Sequence, residues 1–129
     1  MTVTAALVFE GVSKTFLTGD LSVRALQSVD ISIQVGKVTG LIGPDGAGKT
    51  TLMRLAAGLM RSDEGSIRAL GINVVEQPLE VQSLVGYMPQ RFGLYEDLSV
   101  QENLDLYADL QGVAKAERSA RYQELMHMT

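Results

Sequence analysis

The run Gly43-Pro44-Asp45-Gly46-Ala47-Gly48-Lys49-Thr50 constrains this chain more than any other feature. It matches G-x-x-x-x-G-K-[ST] in full, a loop whose glycines permit positive φ and bring backbone N–H groups close to phosphate. A helix opening directly after the loop aims the positive end of its dipole at the same anion. Lys49 supplies a mobile ammonium for the β and γ phosphates, and the Thr50 hydroxyl can bind Mg²⁺. Such a loop requires a buried strand before it and a helix after it. Val38-Thr39-Gly40-Leu41-Ile42 is apolar without alternation, as expected of a strand covered on both faces. Thr50 to Met60 carries Leu52, Leu55, Ala56 and Leu59 at helical spacing. The motif in this setting predicts nucleotide binding.

The flanking sequence alternates strands and helices. Val29, Ile31, Ile33 and Val35 alternate with Asp30, Ser32 and Gln34, the pattern of a half-buried antiparallel strand. Leu7 and Phe9 point to a similar strand, followed by a turn at Thr18-Gly19-Asp20. Ser66 to Val75 reads as a strand pair bent at Gly71, Pro78 as the start of a short helix, and Val85 to Met88 as a strand stopped by Pro89. Ser99 to Gly112 reads as a helix with a capping box, in which Ser99 and Glu102 satisfy each other's backbone amides. Leu104, Tyr107, Ala108 and Gln111 are expected on one face, and Gly112 at the end. Ala114 to Met128 reads as a further helix, with Glu117 and Arg121 an i,i+4 ion pair.

Composition narrows the function classes. The 129 residues include no Cys, which leaves out disulfides, thiolate metal clusters and a catalytic thiol. A reducing compartment fits. The apolar stretches fall short of the roughly 18 residues a membrane helix needs. Met1 to Phe9 is apolar but has no leading basic residue, a poor signal peptide. The formal net charge is −4, and residues 96–129 hold seven acids against three bases. Such a chain lacks the basic footprint of a nucleic-acid binder, and the acidic end reads as a solvated helical face.

Taken together, the motifs resemble the N-terminal part of the ATP-binding subunit of an ABC transporter. Gly40 to Arg54 resembles that family's Walker A block. Gly86-Tyr87-Met88-Pro89-Gln90 resembles the strand and glutamine of its Q-loop. Phe16, in Val12-Ser13-Lys14-Thr15-Phe16, matches the aromatic that stacks on adenine. Gly93 to Leu104 resembles the start of the helical subdomain, most like subunits of ABC-2-type exporters, including tandem efflux ATPases. The implied fold is α/β, a partial P-loop NTPase with an antiparallel β-subdomain, the Walker A strand and helix, and the beginning of the helical subdomain. The implied domains are 1–97, the N-terminal part of the nucleotide-binding core, and 98–129, an incomplete helical subdomain.

The resemblance also implies a site. ATP would be held by Phe16, Gly43, Pro44, Asp45, Gly46, Ala47, Gly48, Lys49, Thr50 and Thr51. Thr50 and Gln90 would serve Mg²⁺, and Lys49 and Gln90 are the two candidate catalytic groups. Phe16 retains a second reading as core, and Gln90 as a self-solvating loop residue. Asp45 stands where the family usually has Asn, a carboxylate set beside phosphates. His127 reads as a helix-surface residue, and Met53, Met60, Met126 and Met128 as packing. The implied partners are a transmembrane permease, docking around Gln90 to Leu98, and a second ATP-binding domain joined head to tail. The implied location is cytoplasmic, peripheral on the inner membrane face.

The 129 residues contain no signature motif, no apolar strand ending in Asp-Glu and no switch histidine, which leads to the expectation of a fragment. Without those groups most of the hydrolytic rate should be lost. The Val38–Ile42 strand would also lack parallel neighbours and expose apolar faces. The leading reading is therefore ATP binding, with hydrolysis in the complete protein, to drive export. The alternatives are a nucleotide-binding or interaction module that does not hydrolyse ATP, and, more remotely, a small-molecule kinase.

Overall fold

Two long strands organise the N-terminal half. In the computed structural model, which describes residues 4–91 and 93–129, β1 (Ala5–Thr18) and β2 (Leu21–Gln34) form an antiparallel hairpin. Met1 to Val3, the start of the stretch read above as a poor signal peptide, lie outside the described residues. The hairpin turns at Gly19, whose φ is +60°, where the sequence predicts it. The predicted alternation is realised in β2: Val29, Ile31 and Ile33 are half-buried while Asp30, Ser32 and Gln34 are exposed.

β3 (Glu64–Ala69) pairs antiparallel with the other edge of β1, and β4 (Ile72–Asn73) folds back on β3 through Leu70 and Gly71. The sheet order is β2-β1-β3-β4, so β1 is flanked on both sides and its Phe9 and Val12 are fully buried. Gly65 permits the β1–β3 contact. Its φ is +82°, and a Cβ there would stand 2.5 Å from the carbonyl oxygens of Glu10 and Gly11.

α1 (Lys49–Ala56) and α2 (Pro78–Leu84) complete this unit. Leu52 and Leu55 of α1 and Val81 of α2 join Phe9, Val12, Leu26, Ile67, Ala69 and Val74 in one core. Full burial of an aliphatic or aromatic side chain contributes about 1.5–3 kcal/mol, so this cluster is the unit's main source of stability. α1 stops at Ala56, short of the predicted Met60, because Gly58 (φ +70°) turns the chain, its amide donating to the Leu55 carbonyl.

Two predicted strands are corrected. Val38–Ile42 carries no strand pairing, and Val38 and Ile42 are 104% and 96% exposed. Val85–Met88 is likewise unpaired, with Met88 exposed. A strand exists only through its ladder bonds, and the four strands present pair among themselves.

The second unit begins at Met88. α3 (Val100–Leu110) has the predicted capping box: the Ser99 hydroxyl accepts from the Glu102 amide at 3.2 Å, and Glu102 accepts from the Ser99 amide at 2.7 Å. The Ser99 amide, and after it the Ser99 side chain, hold the Glu102 carboxyl below the usual carboxylate range. Its sheltered residues are Asn103 and Ala108, with Leu104 half-buried; Tyr107 and Gln111 are exposed, against expectation. The difference comes from the preceding loop, which packs on Asn103. The Asn103 amide donates to the carbonyls of Tyr95, Leu98 and Ser99 and accepts from the Tyr95 amide. The Tyr107 hydroxyl donates to the Gly93 carbonyl.

α4 (Lys115–His127) has no buried residue, and its attachment is polar. Arg118 donates to Asp109 at 2.6 Å and to the Val113 carbonyl, and Tyr122 donates to Asp105 at 3.0 Å. The Glu117–Arg121 pair is present at 3.9 Å, exposed on both sides. Ser99→Ala is expected to destabilise this unit by about 1 kcal/mol through loss of the cap. Urea denaturation monitored by helical circular dichroism checks it, with Ser99→Asp retaining most of the parent stability.

Candidate nucleotide-binding site

Gly48 is the structural keystone of the phosphate loop. It caps α1 in the left-handed region (φ +96°, ψ 8°) and lies against β2 so closely that a Cβ would fall 2.5 Å from the Ala25 carbonyl oxygen and 2.9 Å from Leu26 Cδ2. Ala25 is the extra residue of a β-bulge: Leu26 pairs with Lys14 and Arg24 with Thr15, leaving Ala25 without a partner. The bulge and the bare glycine together set where α1 begins. The sequence motif named Gly48 but not its neighbour, since nothing in the residue types of β2 marks a register shift.

The loop closes on itself around Lys49. Its ammonium donates to the Gly43 carbonyl at 2.5 Å and to the Pro44 carbonyl at 2.6 Å, while the Ala47 amide donates to the Pro44 carbonyl at 3.2 Å. A Cβ at Gly43 would meet Ala47 Cβ at 3.5 Å and Lys49 Nζ at 3.9 Å, ordinary contact distances that show how closely the loop folds over Lys49. Gly46 also has positive φ, +79°. α1 has no side-chain cap and no acidic residue in its first turn, which leaves its leading N–H groups and dipole facing outward. Pro44, Asp45, Ala47 and Thr50 are exposed, and Thr51 is half-buried. These residues fit a polyphosphate in chemistry: an exposed, glycine-rich loop carries one ammonium and leads into a helix whose N-terminus has no side-chain cap.

Phe16 lies in β1 and pairs with Val23, on the same stretch of ladder that carries the bulge against Gly48. The Lys14 ammonium sits 5.6 Å from its ring centroid, within cation–π range. Lys14 in turn is bound to Asp63 at 2.9 Å, and the Thr15 amide donates to the other Asp63 oxygen at 2.7 Å. In the sequence Asp63 reads only as one residue of the loop Ser62-Asp63-Glu64-Gly65; in the structure it ties that loop back to the strand bearing Phe16. Gln90 belongs to the second unit, in an exposed bend after Pro89. Among the described residues no cluster of His, Cys, Asp and Glu could hold a metal, so any metal here would depend on hydroxyl, amide and phosphate oxygens.

The Lys14 hydrogen bond, followed by the Thr15 amide, holds the Asp63 carboxyl below its ordinary value. A carboxyl with a depressed folded-state pKa contributes stability above its unfolded value and loses it as pH falls through the folded one. The loss from this clamp is therefore expected below about pH 4. Melting temperature measured from about pH 5 down to pH 3 should fall less steeply in Asp63→Asn than in the parent.

Comparisons with known proteins place this geometry. The ABC transporter family matches residues 26–129. The chain is 46% identical over 125 residues to the probable multidrug ABC transporter ATP-binding protein YbhF of Escherichia coli, covering 97% of this chain and 21% of YbhF. It is 35% identical to the ABC transporter ATP-binding protein NatA of Bacillus subtilis, covering 88% of this chain and 46% of NatA. The chain thus spans between about a fifth and about a half of the length of these relatives. Among solved structures, a dimeric ATP-binding cassette in a post-hydrolysis state with ADP and Pi superposes with a TM-score of 0.80 at 25% identity, covering 95% of this chain and 56% of that one. An ATP-binding subunit of an ABC transporter superposes at 0.77 with 30% identity, covering 95% and 49%. With the family matched over most of its length and the cassette fold shared, the chain belongs to the ABC transporter family and carries part of its ATP-binding cassette.

Proposed function

We propose that this chain binds MgATP through Gly43 to Thr51 and that the protein it belongs to uses that binding, with hydrolysis, to drive export by a transmembrane permease. The observation that carries the reading is the Gly48 cap. It sets a side-chain-free residue against the Ala25 carbonyl at the start of a helix that has no side-chain cap, and the Lys49 ammonium beside it donates to the Gly43 carbonyl at the start of the loop. In this reading Lys49 holds the β and γ phosphates, and the amides of Gly46 to Thr51 bind phosphate oxygens. Phe16 offers one ring face to adenine. Bound Mg²⁺ would neutralise charge developing on the phosphates, with the Thr50 hydroxyl and the Gln90 amide holding it.

The relatives' names support a transport role, and the multidrug assignment of YbhF favours export. The dimeric cassette supports a second ATP-binding domain as partner, and in this reading the two join head to tail. No helix among the described residues is long and apolar enough to cross a membrane. In this reading the protein sits at the cytoplasmic membrane face, attached through its permease. The domain division 1–97 and 98–129 belongs to the same proposal.

The test is displacement of a fluorescent ATP analogue from the protein as its cell makes it, followed by phosphate release after reconstitution with its permease. Saturable, Lys49-dependent binding with permease-stimulated release is expected. Binding indifferent to Lys49 would overturn the proposal.

A further inference from the structure

An anionic side chain is the one group in the phosphate loop that opposes its ligand. Between Gly43 and Thr51 the formal charges are Lys49 and Asp45, which cancel. Asp45 is exposed, and no ion pair among the described residues takes up its charge. Its position is bounded by the loop geometry. Lys49 Nζ lies 2.6 Å from the carbonyl oxygen of Pro44, the residue just before Asp45. The covalent path from that oxygen to the Asp45 carboxyl adds only about 7 Å, so the carboxylate lies within about 10 Å of the ammonium the phosphates would meet. That is about one Debye length at 0.1 M salt, and well inside the roughly 30 Å at 0.01 M.

We propose that Asp45 makes the loop select nucleotide by charge, favouring the metal-complexed triphosphate over the metal-free polyanion. The inference rests on the nucleotide reading of the loop. A metal-free nucleoside triphosphate carries about two more negative charges than its Mg²⁺ complex, so a fixed carboxylate repels it roughly twice as strongly. The carboxylate therefore lowers affinity for both forms but widens the gap between them. Lys49 and the α1 amides attract every anion, and Asp45 converts that general attraction into a preference for the species carrying its metal.

The test measures ATP dissociation constants on the protein as its cell makes it, with excess Mg²⁺ and with excess EDTA, by displacement of a fluorescent nucleotide. The quantity read is the ratio of the EDTA constant to the Mg²⁺ constant. Asp45→Asn should lower this ratio about two- to fivefold at low ionic strength, and the drop should shrink in about 1 M salt. Asp45→Glu, which keeps the charge, should retain the parent ratio. Equal changes in both constants for Asp45→Asn, or a Glu variant behaving like the Asn variant, would overturn the proposal while leaving nucleotide binding intact. Absence of Lys49-dependent binding in the parent would overturn the nucleotide reading and this inference with it.

Discussion

Lys49→Ala is expected to weaken MgATP binding by about 10- to 150-fold, the equivalent of losing about 1.5–3 kcal/mol of charge-assisted hydrogen bonding. Two losses combine. The phosphates lose an ammonium, and the carbonyls of Gly43 and Pro44 lose the donor that holds them together at 2.5 and 2.6 Å. The fold should not suffer alongside. Lys49 is the first residue of α1, where a positive charge opposes the helix dipole, and alanine is the best helix former. The two carbonyls it releases belong to exposed residues and can turn to water, so the substitution is expected to change the melting temperature little while affinity collapses. Lys49→Arg restores charge but not shape, because a planar guanidinium cannot replace a compact ammonium between two carbonyls. It should recover only part of the binding. Isothermal titration with MgATP and a thermal melt on the same samples check both halves; a parallel fall in stability and affinity would mean that Lys49 serves the fold.

Periodicity and local chemistry made much of the architecture legible. Val29 to Gln34 alternates and is half-buried on one side, Ser99 and Glu102 form the capping box their spacing predicts, and Pro78 opens a helix. Each of these signals is satisfied within a few residues. The strands that failed, Val38–Ile42 and Val85–Met88, carry a different signal: apolarity on both faces, which specifies burial by neighbours that the segment itself does not contain. Similarly, α3 turns Asn103 rather than Gln111 inward because a loop several residues upstream needs its amide. In the candidate site, the cradle was legible because glycine and lysine are diagnostic there. The bulge at Ala25 and the Asp63 clamp were not, since the bulge depends on pairing register and the clamp on residues 48 or 49 positions apart meeting in space.

Gly48→Ala should be the most damaging single-atom change in the phosphate loop, and comparison with Gly46→Ala explains why. Both glycines have positive φ, +96° at Gly48 and +79° at Gly46, so alanine at either site incurs left-handed strain of about 1–2 kcal/mol. Around Gly46 a Cβ would meet nothing within 4 Å, and strain is the whole cost. At Gly48 the added carbon would fall 2.5 Å from the Ala25 carbonyl oxygen, a backbone atom of the bulge whose movement is limited by the paired residues on either side of it, Arg24 and Leu26. Relief requires α1 to move away from β2, loosening Leu52 from Leu26 in the core. Overpacking of this kind adds about 1–3 kcal/mol, giving a total of about 2–5 kcal/mol for Gly48→Ala against about 1–2 for Gly46→Ala. In thermal melts the Gly48 variant is therefore expected to lose roughly one and a half to four times as many degrees as the Gly46 variant. Its MgATP affinity should fall with its stability, unlike that of Lys49→Ala, because displacing the start of α1 carries the phosphate-facing amides with it. Equal losses at the two glycines would show that the Ala25 carbonyl yields, and that the bulge does not set the loop.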